Sequence, residues 1–319
     1  MKPNPKNGFT LVEILFALLL GGLVTTAVLN IFIIQANSFA NQNLVTEMQR
    51  NAKIALDSLV MDLRMAGFQV PPVGVSFYNK TTGGKENIFA ITPANNATGC
   101  DQVRILYSDN QPPLSTTTTA ALANSNDSLP IPVQPADIGK FRQGDIIMIS
   151  VGASAALLQV TGINGSELLH AVEANINPPN SINLFPTAGF PAGAQVTRVK
   201  LLTYRIDSAS DPSHPALQLG QGDGTFQNIA TNIEDLQLAY RDNTPSSGVW
   251  YCVPGRDFPA DFSNAAIRDV RVNILSRAKD IDSRFSGKRP GLEDRNAGTT
   301  DNYRRRLLTS TVMVRNLFN

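Results

Sequence analysis

The chain has 319 residues, 42% of them hydrophobic and 17% charged, which excludes wholesale disorder and leaves material for a sizeable core. Lys and Arg number 27 against 26 Asp and Glu, so a formal charge of +1 gives no whole-protein pull toward nucleic acid or anionic lipid. Two cysteines, two histidines and one tryptophan are too few for a zinc or iron–sulfur centre of the usual ligands, and no cofactor or metal is expected.

Residues 1–8 form a short polar leader carrying Lys2 and Lys6. From Phe9 to Ile34 the only ionisable side chain is Glu13. A helix needs about 20 residues to cross roughly 30 Å of hydrocarbon, so residues 9–34 are expected to span a membrane. The two lysines hold the start in the cytoplasm and send the remainder outward. A secretory signal has an apolar region of about 7 to 15 residues and no acid, and the best small-x-small cleavage candidate here, Ser38-Phe39-Ala40, lies beyond the run. An unpaired carboxylate in a bilayer costs about 2.5 kcal/mol or more, so Glu13 requires a partner.

No proline occurs between Pro5 and Pro71, and the pattern turns amphipathic without a break. Leu44, Met48, Ala52, Ala55, Leu59, Leu63 and Ala66 recur at helical steps of three and four. A helix from Phe9 to Ala66 would be roughly 87 Å long, its second part, residues 35–68, packing on a head held by Phe39, Leu44, Met48, Leu59 and Leu63. Gly67 is the natural C-cap and Pro71-Pro72 closes the exit.

Residues 69–319 alternate short apolar runs with turn residues and are expected to form one mainly antiparallel β head, an α+β fold overall. The predicted strands are Val103–Tyr107, Asp145–Val151, Leu157–Thr161, Glu167–Val172, Gln195–Ile206, Ile233–Arg241, Val270–Ser276 and Leu308–Val314. Asn164-Gly165 is a hairpin signal. Ser115–Ser128, with four consecutive threonines, is expected to lie in a mobile polar loop near 112–136, fenced by Pro130, Pro132 and Pro135.

Lys6-Asn7-Gly8-Phe9-Thr10-Leu11-Val12-Glu13 resembles the type IV prepilin processing site: a basic leader ending in Gly, then Phe, with Glu four residues later. The resemblance implies that a prepilin peptidase cuts between Gly8 and Phe9 and methylates Phe9, and that Glu13 pairs with the terminal ammonium of a neighbouring subunit. Leu59–Phe68, with its Asp-x-Arg-x-Ala-Gly-Phe ending, Ile233–Tyr240 and Arg304–Asn316 are similar to the PilW family of minor pilins. Residues 75–230 match that family in no motif.

This resemblance implies a type IV pilin-like fold and a non-catalytic subunit, anchored once in the inner membrane with a periplasmic head. Such a subunit would enter an extracellular pilus and prime its assembly with other minor and major pilins and the inner-membrane assembly machinery. The J-type pseudopilins of type II secretion, usually shorter, have similar helix ends and stand as the alternative, as does a pilus-tip adhesin or DNA-binding module.

Four further features bear on chemistry. Cys100 and Cys252 would both lie in an oxidising compartment, where a disulfide is expected; otherwise they are small core residues. Gly220-Gln221-Gly222-Asp223-Gly224 lacks the lysine of a phosphate loop and the alternating carboxylates of a calcium loop, and reads as a turn. Gly152–Ala156 has no well-placed His to serve as a nucleophile elbow, and His170 and His214 have no nearby ligand set. Arg284, Lys288, Arg289, Arg295 and Arg304, Arg305 and Arg306 form a basic cluster; the last three are candidate contacts for DNA phosphates, against the plainer reading of a solvated face with local ion pairs.

Overall fold

The computed structural model describes residues 10–317 apart from 81, 97, 109–113, 124–129, 173–175, 180, 223, 243–247 and 261. The chain divides into two units, Met1–Glu47 and Met48–Asn319. One helix, α1, runs through Leu11–Met65 without interruption, as the absence of proline requires.

In the first unit the apolar side chains of α1 are exposed all round, with Leu11 at 76% and Phe32 at 69%. A helix apolar on every side is compatible only with an apolar surrounding. Thr25 and Thr26 return their hydroxyls to the carbonyls of Gly21 and Gly22 at 2.7 and 2.8 Å, which satisfies them within the helix.

The second unit holds the rest of α1 and the β structure. Met48, Ala52, Ala55, Leu59 and Leu63 are buried as the periodicity requires, whereas Leu44 and Phe39 belong to the first unit. After Met65 the chain turns at Gly67, whose φ of +80° suits a residue without Cβ. Its N–H donates to Leu106 O at 3.0 Å.

The first sheet is organised around the strand Gln195–Asp207. One of its edges carries Ile146–Val151 and Ala216–Gln221, and the other carries Gln102–Ser108 and Ser115–Thr117. Ser154–Gln159, Val75–Asn79 and Gly84–Ile88 extend one side, Thr225–Thr231 ends the other, and Ile91–Ala94 pairs with Gln102–Ser108. The second sheet runs Trp250–Tyr251, Ile233–Asp242, Ile267–Arg277, Arg305–Met313, antiparallel throughout.

Ala52, Ala55, Leu59, Leu63 and Ala66 share one core with Val103, Ile105, Leu202 and Tyr204 of the first sheet and Leu236, Leu238, Val272 and Ile274 of the second. Three alanines on that face let the helix backbone approach the strands closely.

Part of the expected Thr-rich loop is ordered sheet: Thr116 and Thr118 are 5% and 2% exposed, and Ile131–Pro132 pairs with the strand Glu167–Leu169. Threonine is a good strand former when a neighbour buries it, which explains the difference. The stretches 109–113 and 124–129 lie outside the described residues.

Candidate assembly site

Gly8 and Phe9, the expected processing junction, lie outside the described residues. The next residues form a capping box. Glu13 Oε2 accepts the Thr10 N–H at 3.0 Å and the Thr10 hydroxyl at 3.1 Å, and the Glu13 N–H donates to Thr10 Oγ1 at 3.3 Å. Thr-x-x-Glu ahead of an apolar run is the sequence signal for this arrangement. The prepilin resemblance gives a role to the acid alone and none to Thr10.

In the second unit a buried polar triad fastens α1 to the first sheet. Asp62, 5% exposed, accepts from Tyr107 Oη at 2.8 Å through Oδ1 and from Tyr204 Oη through Oδ2, while Ser58 Oγ lies 3.1 Å from Tyr204 Oη. Burial, then the Asp62 carboxylate, pushes the Tyr204 phenol far above its ordinary range, so it stays a donor. The acid of the Asp-x-Arg-x-Ala-Gly-Phe ending thus makes a helix-to-sheet fastening. The Asn of the Val-Arg-Asn ending answers it: Asn316 Nδ2 donates to the carbonyls of Arg64, Met65 and Ala66, each at 3.3 Å. Helix ends leave such carbonyls without internal partners. Ser276 Oγ donates to Met48 O at 3.0 Å.

The face of the second sheet turned away from α1 is polar, and residues 278–304 strap across it. Asp235, fully buried, takes Arg289 Nη1 at 3.1 Å and Arg295 Nη1 at 2.7 Å. Glu293 takes Arg271 in a two-bond fork at 2.7 Å each, and Arg271 also lies over the Trp250 ring at 4.5 Å.

The basic cluster is largely consumed here. Arg305, its side chain 7% exposed, bonds Glu234 through Nε at 2.5 Å and Asp301 through Nη1 at 2.7 Å. Burial alone would lower its guanidinium, but the bonds to Asp301 and Glu234 outweigh it and hold the group above its ordinary range. Arg304 pairs with Asp282 at 2.9 Å and covers the Phe285 ring at 4.8 Å, whereas Arg306 is exposed.

The expected Cys100–Cys252 bridge is absent: both are free thiols. Cys100 Sγ is held elsewhere, accepting from Arg295 Nη1 at 3.3 Å and donating to Glu234 O at 3.5 Å, while Cys252 is buried in the main core. Burial and then Asp235 push the Cys100 thiol up to about 11, and burial pushes Cys252 higher still, so neither is a reactive thiolate.

Gly152 lies between the paired strands Ile146–Val151 and Ser154–Gln159, Gly220 is a residue of the strand Ala216–Gln221, and Gly222 and Gly224 lie between that strand and Thr225–Thr231, with Asp223 outside the described residues. His170 is buried, and His214 Nδ1 lies 3.0 Å from Asp211 Oδ2. Among the described residues no group of three His, Cys, Asp or Glu side chains could hold a metal ion. A groove of about 450 Å³ on the first sheet is lined by Gln159, Arg198, Lys200 and Gln221, with Arg198 3.5 Å from Asp145.

Comparison with known proteins bears on both ends of the chain. Residues 203–316 match the family model of the type IV pilus-assembly protein W, PilW, and residues 3–29 match the prokaryotic N-terminal methylation motif. No curated protein matches the chain. Among solved structures a type IV-like pilin from Thermus thermophilus is similar at 10% identity and a TM-score of 0.38, covering 85% of this chain and 98% of that one. The PilW match contains the entire second sheet, its strap and Asn316. The chain thus carries a match to the N-terminal methylation motif at its start and a match to the PilW family model over its last third.

Proposed function

We propose that this protein is a minor pilin of a type IV pilus, a non-catalytic subunit that takes part in priming assembly. The observation that carries the reading is the pairing of the methylation motif with a PilW region around a helix whose first part is apolar on every side. Held in the inner membrane, that helix is stored in lipid; in a filament the same surface packs against helices of other pilins.

Prepilin peptidase would remove residues 1–8 and leave a methylated, still cationic Phe9. Glu13 then meets the terminal ammonium of a neighbouring pilin, because a desolvated carboxylate needs an opposite charge. The head faces the periplasm until the inner-membrane machinery lifts the subunit out.

The test is the mass of the mature N-terminus together with piliation. A methylated Phe9, and a Gly8→Val variant that stays full length in the membrane and yields no pili, are the expected results. A native protein that still carries Met1, or a Gly8→Val strain with normal pili, defeats the proposal.

A further inference from the structure

We propose that the outer edge of the strand Arg305–Met313 accepts an extended, uncharged strand from a different chain, which continues the second sheet by one strand. That the donor is another pilus subunit rests on the function proposed above; the acceptor edge does not.

Arg305–Met313 is the end strand of its sheet. Its phase follows from two flanking bonds, Ala278 N–H to Arg304 O and Val314 N–H to Arg268 O, both 2.8 Å. With the register Val270↔Val312 through Ser276↔Arg306, the even residues turn their backbone groups inward to Ile267–Arg277. The odd ones, Leu307, Thr309, Thr311 and Met313, turn theirs outward. Those outward groups meet no partner among the described residues. The side chains of the same four residues are exposed, Leu307 at 39% and Met313 at 46%.

Free edges normally carry a defence against pairing, and the other edges here do. Gly84–Ile88 bears Lys85 and Glu86, Ile91–Ala94 contains Pro93, and Thr225–Thr231 is bent where the register shifts at Leu217/Gln218. Leu307–Met313 has no charge, no proline and no bulge, and Thr309, Thr311 and Val312 are good strand formers. Of the two arginines that open the strand, Arg305 is withdrawn into its ion pairs, and the exposed Arg306 stands before the uncharged stretch. Hydrogen-bonding groups spaced along an extended backbone are complementary to another extended backbone, and apolar and hydroxyl side chains facing outward favour an uncharged donor.

The direction of the strand separates a second copy from a different chain. Ser276 Oγ bonds both Met48 O and Arg306 O, while Asn316 bonds Arg64–Ala66, so Arg305–Met313 runs parallel to the accompanying part of α1. Two copies joined edge to edge by a two-fold axis pair antiparallel, which sets these helix segments head to tail. Subunits inserted in one membrane in the same sense need a donor that is not this same edge.

The experiment is residue-resolved hydrogen exchange on the full chain, once in source-cell membranes and once purified in detergent micelles. The amides of Leu308, Ser310 and Val312 are protected in both. Those of Leu307, Thr309, Thr311 and Met313 exchange quickly in micelles and about tenfold or more slowly in membranes. Thr309→Pro deletes one outward N–H without touching the internal ladder and abolishes the membrane protection; Thr309→Val, which keeps that N–H, does not.

Equal, fast exchange of the odd amides in both samples overturns the inference. So does protection in monomeric micelles, which would mean that the chain covers its own edge, or protection that accompanies dimers, which would assign the edge to a second copy. The mass of the N-terminus, read on the same samples, judges the pilus reading separately: an unprocessed leader with a protected edge removes that reading and leaves the acceptor edge.

Discussion

The Tyr107 hydroxyl donates to Asp62 Oδ1 over 2.8 Å, joining the strand Gln102–Ser108 to the buried side of α1. Tyr107→Phe leaves the ring in place and removes one bond to a buried carboxyl group. The expected loss is about 1–3 kcal/mol of unfolding free energy, read by urea denaturation of the full chain in micelles. Asp62→Ala costs more, since it removes the acceptor of both phenols at once. A Tyr107→Phe protein as stable as the wild type would show that the triad contributes nothing.

Asn316 is expected to act on the helix end alone. Asn316→Ala lowers stability by about 1 kcal/mol. Asn316→Asp is worse than Ala, because a carboxylate would face three carbonyl oxygens and the negative pole of the helix. The order of the two variants in a thermal melt decides the point.

Asp101 sets a pH dependence. It is 2% exposed and accepts the N–H groups of Asn96 at 2.9 Å and Leu238 at 2.7 Å, yet burial raises its carboxyl to about 7, with Asp294 and Asp235 adding to the rise. The folded protein therefore holds this proton more tightly than the unfolded chain. Its contribution to stability is complete below about pH 4, falls as the pH rises toward 7, and is level beyond. Unfolding free energies measured from pH 4 to 8 should decline by a few kcal/mol in total, and Asp101→Asn should flatten the curve.

The arginines of the late basic stretch should divide by burial. Arg305→Gln removes the cation that Glu234 and Asp301 share, though Arg277 stays 3.9 Å from Glu234, and is expected to cost about 1–3 kcal/mol. Arg306→Gln, at an exposed position, stays within about 0.5 kcal/mol. Retention of DNA lost in Arg305→Gln but kept in Arg306→Gln would report unfolding rather than phosphate contact; thermal melts of the same samples check it.

How much of this was legible in the residues depended on periodicity. Helix α1 declared itself through unbroken three-and-four spacing and missing proline, and long strands such as Gln195–Asp207 through apolar alternation. The hairpin Val75–Asn79 with Gly84–Ile88 did not, because Gly84-Lys85-Glu86-Asn87 is polar and its pairing is supplied by a neighbour. Within the site, Thr10 and Glu13 could be found from the capping spacing. Asp62 and Asn316 were visible only as members of family-like endings, since nothing local says that their partners are Tyr107 and the Arg64–Ala66 carbonyls. The ion pairs of the basic stretch were hidden for the same reason: Glu234 and Asp235, which neutralise Arg305, Arg289 and Arg295, lie some 54 to 71 residues away.

The bonds from Asn316 to Arg64, Met65 and Ala66 close over 250 to 252 residues. At roughly 5–20 residues per second of synthesis, the helix end waits about 12 to 50 s on the ribosome before the amide that covers it is made. For that interval the apolar stripe from Met48 to Ala66 has only a partly built cradle and is open to sticking to its neighbours.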